Sequence, residues 1–198
     1  MDKQTHAFYA STAQTYVASG ANGTSRHLLG FLARLPAGAR ILELGCGGGR
    51  DAEAMLTAGF DVDATDGTQE VAAQAETRLA RPVRVMRFDQ LDAVRAYDAV
   101  FANASLLHVP RPDLPDVLTL VYRALRPGGL FFASYKSGGV EGRDAQARYY
   151  NYLDRPAFEA AYAQAGDWRA LDIIEYIGGG FGGTTGPWIA GTYQKPRA

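Results

Sequence analysis

The sequence predicts an α/β fold with a doubly wound, mostly parallel sheet, and three observations support this prediction. From Arg40 onward, short apolar runs alternate with amphipathic stretches, which is typical of consecutive βαβ units. A glycine-rich loop follows the first of these runs and opens a helix. Two strand-like runs near the end of the chain, joined by the segment GGGFGGTTG, indicate an antiparallel hairpin that closes the sheet edge.

The chain before Pro36 is predicted to be helical. It shows no strand-like alternation, and its apolar residues recur at the spacing of a helix face. One such stripe consists of Phe8, Ala13, Tyr16 and Val17, and a second consists of His27, Leu28, Phe31, Leu32 and Leu35.

The middle of the chain is predicted to supply five strands with helices between them. The strands cover residues 41–44, 60–65, the region of Val83 and Val85, residues 97–102 and residues 130–133. The helices cover a stretch that stops at Gly59, residues 69–79 and about residues 113–125. The segment Pro127-Gly128-Gly129 predicts a turn into the fifth strand.

The last third of the chain is predicted to add one helix and the closing hairpin. Asp154 is a candidate helix cap, with Pro156 in the first turn and Gly166 at the end. Residues 170–177 and 188–193 form the two strands of the hairpin. Because no boundary for a second domain appears, residues 1–198 are expected to form one domain.

Composition predicts a soluble cytoplasmic protein. The net charge of −1 favours neither nucleic acid nor an anionic membrane as a partner. A single cysteine excludes an internal disulfide, and the first ten residues lack the apolar run of a signal peptide. No metal site is predicted, and a monomer or a homodimer is expected.

The glycine loop reads E-L-G-C-G-G-G-R-D from Glu43. Glycines allow a sharp turn and a close approach of a ligand, and the following helix N-terminus presents free N–H groups. A dinucleotide site usually has the spacing G-x-G-x-x-G, but Arg50 stands where the third glycine would be. A carboxylate at Glu43 would repel a pyrophosphate, yet it suits a ligand that carries an ammonium and a sulfonium group.

Two aspartates follow later strands and extend the predicted ligand site. Asp66 ends the second strand, where an acid commonly accepts from ribose hydroxyls, although it is also a candidate helix cap after Gly67. Asp89 follows the third strand, where it is placed to accept from an adenine amino group or to cap a loop.

Together, E-L-G-C-G-G-G-R, the strand ends at Asp66 and Asp89, Y-D-A-V-F-A-N-A-S-L-L-H-V and A-L-R-P-G-G resemble the class I S-adenosylmethionine-dependent methyltransferases. The resemblance covers roughly residues 36–135. More loosely, G-C-G-G-G-R-D followed by D-V-D-A-T-D is similar to the branch that includes tellurite-resistance methyltransferases. The family implies a three-layer, Rossmann-like sheet of seven strands in the order 3-2-1-4-5-7-6, with strand 7 antiparallel.

The resemblance also implies a division of the chain and a set of cofactor contacts. Residues 1–35 would form a helical lid, 36–135 the cofactor-binding core, and 136–198 a substrate-side helix and closing hairpin. The residues implied at S-adenosylmethionine are Glu43, Gly45, Cys46, Gly47 and Gly49 at the methionine part, Asp66 and Gly67 at the ribose, Asp89, Gln90 and Leu91 at the adenine, and Asn103, Ala104, Ser105 and Leu106 under the sulfonium.

Other residues are predicted with less support from the motifs. Tyr16, in the lid, is expected near the cofactor. Arg50 or Arg26 is a candidate partner of the cofactor carboxylate, and the alternative for each is a surface arginine. Cys46 is interpreted as a small residue among glycines rather than as a nucleophile.

The acceptor side is harder to predict, because methyl transfer from a sulfonium depends mainly on aligning the reactants. His108 is a candidate general base, needed only if the acceptor must lose a proton, and its alternative role is a hydrogen bond to a loop backbone. The candidate substrate-side residues are His108, Tyr135, Lys136, Arg148 and Tyr149, with Tyr149 also a candidate catalytic residue.

The leading hypothesis is therefore methyl transfer to a small-molecule acceptor. A nicotinamide-dependent oxidoreductase is the alternative that the glycine loop and Asp66 would also fit, and Arg50 opposes it. A protein that binds S-adenosylmethionine without transferring its methyl group is the second alternative.

Overall fold

The structure is a computed structural model that describes residues 2–20 and 23–197. Its helices are α1 (Lys3–Ser19), α2 (Leu28–Leu32), α3 (Arg50–Thr57), α4 (Gln69–Leu79), α5 (Leu114–Ala124) and α6 (Arg155–Ala165). Its strands are β1 (Arg40–Leu44), β2 (Asp61–Asp66), β3 (Arg84–Val85), β4 (Tyr97–Ala102), β5 (Leu125–Lys136), β6 (Gly142–Arg143), β7 (Tyr149–Tyr150), β8 (Arg169–Gly179) and β9 (Thr185–Gln194).

The main sheet contains seven of these strands, in the order β3-β2-β1-β4-β5-β9-β8. Strands β6 and β7 form a separate ribbon, so β8 and β9 are the sixth and seventh strands of the sheet. The pairs from β3 to β5 are parallel, whereas β9 is antiparallel to both of its neighbours. The predicted α/β fold and the predicted strand order 3-2-1-4-5-7-6 are therefore confirmed.

The central strands are buried on both faces, which explains their continuous apolar runs. Successive side chains of a strand point to opposite faces. Ile41 accordingly packs in a cluster with Phe31 and Phe101, and Leu42 packs in a second cluster with Val100. This arrangement brings the carboxyl ends of β1, β2, β4 and β5 to the same edge of the sheet.

Strand β5 begins earlier than the sequence predicts. Pairing with β4 starts at Leu125, directly after α5, and the register shifts between Tyr97 and Ala99. Gly128 takes a left-handed φ of 80° and donates its amide to the carbonyl of Lys195 at 2.9 Å. The expected turn at Pro127-Gly128-Gly129 is thus an irregularity inside a longer strand.

The ribbon of β6 and β7 has no counterpart in the sequence prediction, because two-residue strands show no periodicity. Its turn is held by Asp144, whose Oδ1 accepts from the amides of Gln146 and Arg148, both at 3.0 Å. Among the helices of residues 2–20 and 23–197, none has both the length and the apolar character required to cross a bilayer.

Candidate active site

A cavity of about 580 Å³ lies at the carboxyl edge of the sheet. A smaller cavity of about 50 Å³ adjoins it, since Tyr16, Gly45 and His108 line both. The larger cavity is lined by the glycine loop, the end of α1, the segment after β4, the end of β5, the ribbon of β6 and β7, and the loop between β8 and β9. The smaller one is lined by Asp66 and Phe88, among others.

The glycine loop is shaped by positive φ angles and by close contacts. Gly45, Gly47 and Gly49 have φ values of 77°, 56° and 77°. A Cβ on Gly45 would lie 2.5 Å from the Cβ of Ser105, which follows β4. The amides of Gly45 and Cys46 both donate to the carbonyl of Thr65, at 2.9 and 2.8 Å. The loop is thus held between the ends of β2 and β4, where no side chain fits at Gly45.

Glu43 is buried beneath this loop and lines the larger cavity. Its Oε2 has no hydrogen-bond partner among the described residues. Burial raises the pKa of this carboxyl well above its usual range, the carboxylates of Asp51 and Asp66 add to the rise, and Arg50 opposes it. A cationic ligand group that donates to this buried, unpaired carboxyl oxygen would form a strong, charge-assisted hydrogen bond.

Asp66 lies at the end of β2, as predicted, and lines the smaller cavity. Its Oδ2 accepts from the amide of Gly47 at 3.1 Å and its Oδ1 from the amide of Thr68 at 2.9 Å. Burial raises its pKa to about 6, although these two hydrogen bonds lower it. Each carboxylate oxygen of Asp66 keeps a lone pair for a ligand hydroxyl. The backbone hydrogen bonds that Asp66 accepts are therefore compatible with the predicted binding of ribose.

Helix α1 lies over the glycine loop. A Cβ on Gly48 would lie 2.6 Å from the Cγ1 of Val17, and one on Gly47 would lie 3.6 Å from the ring of Tyr16. Tyr16 lines both cavities, and its contact with the cofactor stays a prediction. The role of residues 1–35 as a lid stays a prediction.

A hydrogen-bond network around Ser25 was missed from the sequence. Ser25 donates its amide to Asp51 Oδ1 at 2.8 Å and its hydroxyl to Asp51 Oδ2. Its hydroxyl oxygen accepts from Asn103 Nδ2 at 2.8 Å and from Arg50 Nη2 at 3.2 Å. Ser134 donates to Asn103 Oδ1 at 2.9 Å. The network joins α3 to the ends of β4 and β5, and only the folded chain brings these five residues together.

The residues predicted at the adenine occupy different environments. Asp89 is exposed and forms two hydrogen bonds with Arg87, at 3.0 and 3.1 Å. Gln90 accepts from the amide of Arg87 at 2.9 Å, and Leu91 is buried in the core. Phe88, in the same turn, lines the smaller cavity. The adenine roles of Asp89, Gln90 and Leu91 stay predictions.

His108 is buried where both cavities meet. Its Nδ1 lies 2.6 Å from the carbonyl oxygen of Tyr149, and its Nε2 lies 2.8 Å from the hydroxyl of Tyr9. A carbonyl only accepts, so Nδ1 carries the proton and Nε2 accepts from Tyr9. Burial, together with the charges of Arg148 and Lys136, lowers the pKa of His108 to about 4. The imidazole is therefore neutral near pH 7, with its lone pair on the Tyr9 hydroxyl. Tyr9 was missed from the sequence.

The predicted substrate-side residues divide into two groups. Lys136 and Arg148 line the larger cavity, together with Tyr150. Tyr135 is fully buried in the core, with its hydroxyl 3.4 Å from that of Tyr162. The Tyr149 phenol points to Glu141 and lines neither cavity. Tyr149 contributes to the site through its backbone carbonyl, and a catalytic role for its side chain stays a prediction.

Two further candidates, Arg26 and Cys46, also line the larger cavity, and their contacts with the cofactor stay predictions. Arg26 lines the larger cavity, where its Nη1 donates to the carbonyl of Ile177 at 3.3 Å. Cys46 is buried, and burial together with Glu43 raises the pKa of its thiol well above the usual range. A thiol in this state is a poor nucleophile at neutral pH, in agreement with the prediction.

A family model described as "Methyltransferase domain" matches residues 41–129. A ubiquinone biosynthesis O-methyltransferase of Xanthomonas axonopodis pv. citri (strain 306) is 40% identical over 106 residues, which cover 50% of this chain and 44% of that protein. The chain thus spans less than half the length of this curated relative.

Solved structures show the same fold. A Burkholderia thailandensis 1,6-didemethyltoxoflavin-N1-methyltransferase with bound S-adenosylhomocysteine has a TM-score of 0.74 and 22% identity, covering 96% of this chain and 88% of its own. A Haemonchus contortus phosphoethanolamine N-methyltransferase 2 in complex with S-adenosyl-L-methionine has a TM-score of 0.76 and 18% identity. The match covers 100% of this chain and 61% of that protein.

The family match favours the methyltransferase hypothesis over the nicotinamide-dependent oxidoreductase. The similarity to the branch that includes tellurite-resistance methyltransferases stays a prediction. Residues 41–129 match the methyltransferase domain model, and the chain shares its fold with these S-adenosylmethionine-dependent methyltransferases of known structure.

Proposed function

We propose that this protein transfers the methyl group of S-adenosylmethionine to a small-molecule acceptor that loses a proton in the reaction. The observation that carries the proposal is the Glu43 carboxyl, buried at the cavity wall with a partnerless Oε2 beneath the glycine loop. A pyrophosphate would be repelled there, whereas the ammonium of a methionine moiety would supply the missing partner.

The residues of the site fit this cofactor. Glu43 would bind the ammonium, and Asp66 the ribose hydroxyls. The backbone at Asn103–Ser105 would face the sulfonium, and Phe88 would flank the adenine in the smaller cavity. The cofactor supplies a methyl group that is already activated, so the chain needs only to align the acceptor and remove its proton.

Tyr9 and His108 are the groups placed to take that proton. Tyr9 lines the cavity, and its hydroxyl donates to His108 Nε2 and accepts from Arg148, which leaves one lone pair of the hydroxyl oxygen for the acceptor. As the acceptor oxygen or nitrogen attacks the methyl carbon, its proton would pass to Tyr9 while the Tyr9 proton passes to His108. The hydrogen bond from His108 Nδ1 to the Tyr149 carbonyl fixes the tautomer that this transfer requires.

Calorimetric titration with S-adenosylmethionine, S-adenosylhomocysteine and NAD tests the cofactor assignment. We expect both adenosyl ligands to bind, and Glu43→Gln to weaken S-adenosylmethionine by at least about tenfold, because a charge-assisted hydrogen bond is lost. Glu159→Gln is the matched control, since Glu159 is an exposed residue of α6 paired with Arg155. NAD binding without a response to S-adenosylmethionine would reject the proposal.

Transfer itself is tested by detecting S-adenosylhomocysteine by mass spectrometry with a panel of phenols and heterocyclic amines. His108→Gln is expected to lower turnover by about a hundredfold, the lower range for general acid–base catalysis, with unchanged S-adenosylmethionine affinity. Tight binding of the cofactor with no product from any acceptor would favour the alternative of a silent binding protein.

A further inference from the structure

The acceptor part of the larger cavity carries cationic side chains and no acidic one, and Arg26 also lies there, over the Tyr176 ring. Lys136 and Arg148 line it, whereas the acidic residues of its lining, Glu43 and Asp51, belong to β1 and α3 near the glycine loop. Asp144 pairs with Arg148 but does not line the cavity. Asp144 balances one of the two positive charges of Lys136 and Arg148, so the pair keeps a net positive charge that a ligand anion would stabilise in this concave, partly buried site.

Arg148 is held rigidly at the cavity wall. Its Nε and Nη2 both donate to Asp144 Oδ2, at 2.9 and 2.7 Å. The side chain also hydrogen-bonds the Tyr9 hydroxyl, and the residue is only 4% exposed. The guanidinium packs against the rings of Phe8, Tyr150 and Phe181, at 4.9, 5.4 and 5.3 Å from their centroids. The side chain is thus fixed before any ligand arrives.

Lys136 is the second donor. Its Nζ lies 4.4 Å from the centroid of the Tyr150 ring, and within residues 2–20 and 23–197 it forms no ion pair. Burial lowers its pKa, and the neighbouring Arg148 adds to this effect. An anion bound between Lys136 and Arg148 would raise the pKa of Lys136 again.

Flat aromatic side chains complete the walls of this part of the cavity. They come from β7, β8, the loop between β8 and β9, and β9: Tyr150, Tyr176, Phe181 and Trp188. Phe181 sits in the glycine-rich loop between β8 and β9 and packs against Phe8 and Tyr16 of α1, with ring centroids 5.9 and 5.5 Å apart. Such walls favour a planar ring over a flexible chain.

We infer that the methyl acceptor is a planar aromatic molecule that carries a carboxylate, and that Lys136 and Arg148 bind this carboxylate. The inference rests on the proposed methyltransferase function and specifies its substrate class. It also assists the proton transfer, because a bound anion would raise the pKa of His108, which Arg148 and Lys136 now lower.

The test compares two catechols that differ only in charge, a dihydroxybenzoate and the dihydroxybenzamide with the same hydroxyl pattern. Calorimetry on the protein saturated with S-adenosylhomocysteine measures their affinities. We expect the acid to bind at least about tenfold more tightly than the amide, the range of a charge-assisted hydrogen bond.

Variants show whether the two cations cause this preference. Lys136→Met and Arg148→Lys should each reduce the acid-to-amide ratio by about tenfold or more while leaving the affinity for S-adenosylhomocysteine unchanged. Lys136→Arg, which keeps the positive charge that Lys136→Met removes, should keep most of the wild-type acid-to-amide ratio. Lys3→Met is the matched control, because Lys3 is exposed at the start of α1 and lines neither cavity.

Two outcomes overturn the inference. One is equal binding of the acid and the amide to the saturated wild-type protein, and the other is an acid preference that Lys136→Met and Arg148→Lys leave unchanged. Failure of the proposed function is recognised separately, since the protein would then bind no S-adenosylhomocysteine before either catechol is added.

Discussion

The two ends of the site formed by the two adjoining cavities are built in different ways. At the loop end, Glu43, Gly45 and Asp66 come from β1, the loop after it and β2, within one stretch of 24 residues. At the acceptor end, Tyr9, His108 and Arg148 come from α1, the turn after β4 and the ribbon after β5. The first end is acidic and formed by backbone, and the second is cationic and formed by aromatic and basic side chains.

This difference separates the two requirements of a group-transfer enzyme. A donor that is always the same can be bound by a short, continuous segment whose backbone shape is fixed by positive φ angles. An acceptor is bound by side chains from distant segments, which can change without disturbing the loop. Four predictions test whether the two ends are independent in this way.

The largest effect is expected for Gly45→Ala at the loop end. A side chain in the left-handed region costs about 1–2 kcal/mol, and the clash with Ser105 adds about 1–3 kcal/mol of overpacking. Urea denaturation should therefore show a loss of about 2–5 kcal/mol in the free energy of unfolding, with loss of S-adenosylmethionine binding. Gly59→Ala is the control, because Gly59 has a φ of 85° but no atom within 4 Å of its added Cβ. Equal losses in the two variants would show that the contact with Ser105 is unimportant.

Asp66→Ala should weaken S-adenosylmethionine by about 1–3 kcal/mol, through the lost hydrogen bonds to the ribose. Acceptor affinity, measured at saturating S-adenosylhomocysteine, should not change. The control is Asp61→Ala, an exposed residue at the start of the same strand. An unchanged dissociation constant for the cofactor would contradict the ribose assignment.

Tyr9→Phe should lower turnover by about tenfold, equivalent to about 1.4 kcal/mol in the activation barrier, because the proton path loses its first group. Cofactor affinity should remain close to that of the wild type, since the phenyl ring still packs against Tyr16. Tyr122→Phe, on the far helix α5 against Trp168, is the control. Normal turnover in Tyr9→Phe would restrict His108 to a structural role.

The pH dependence of cofactor binding gives the smallest effect near neutrality. Burial raises the pKa of Asp66 to about 6, so the free protein gains a proton there as the pH falls through that value. Ribose hydroxyls donate to the ionised form, so affinity should be constant above pH 6 and fall up to about tenfold per pH unit below it. Calorimetry between pH 5 and 8 measures this, and Asp66→Asn should remove the bend. His6→Asn should move the bend slightly to higher pH, because the charge of His6 lowers the pKa of Asp66.

Much of the fold was predictable because the elements that build it are local patterns. Helix α4 and strand β4 fall at the predicted residues, and Asp154 caps α6 by accepting from the amide of Ala157 at 2.9 Å. The ribbon of β6 and β7 was not predictable, because its turn depends on Asp144 rather than on periodic apolar residues.

What the sequence determined by itself is the loop end of the cavity. Glycine spacing, the acid at Glu43 and the strand end at Asp66 are separated by short, regular elements, so their relative positions follow from the geometry of one βαβ unit. Only the tertiary structure decided the acceptor end. The hydrogen bond between Tyr9 and His108 joins residues 99 positions apart, and the network at Ser25 connects residues that no local pattern relates. Such side chains are brought together only by long-range packing. For that reason the sequence did not predict that Tyr9 lines the cavity, or that Tyr149 contacts His108 through its backbone carbonyl.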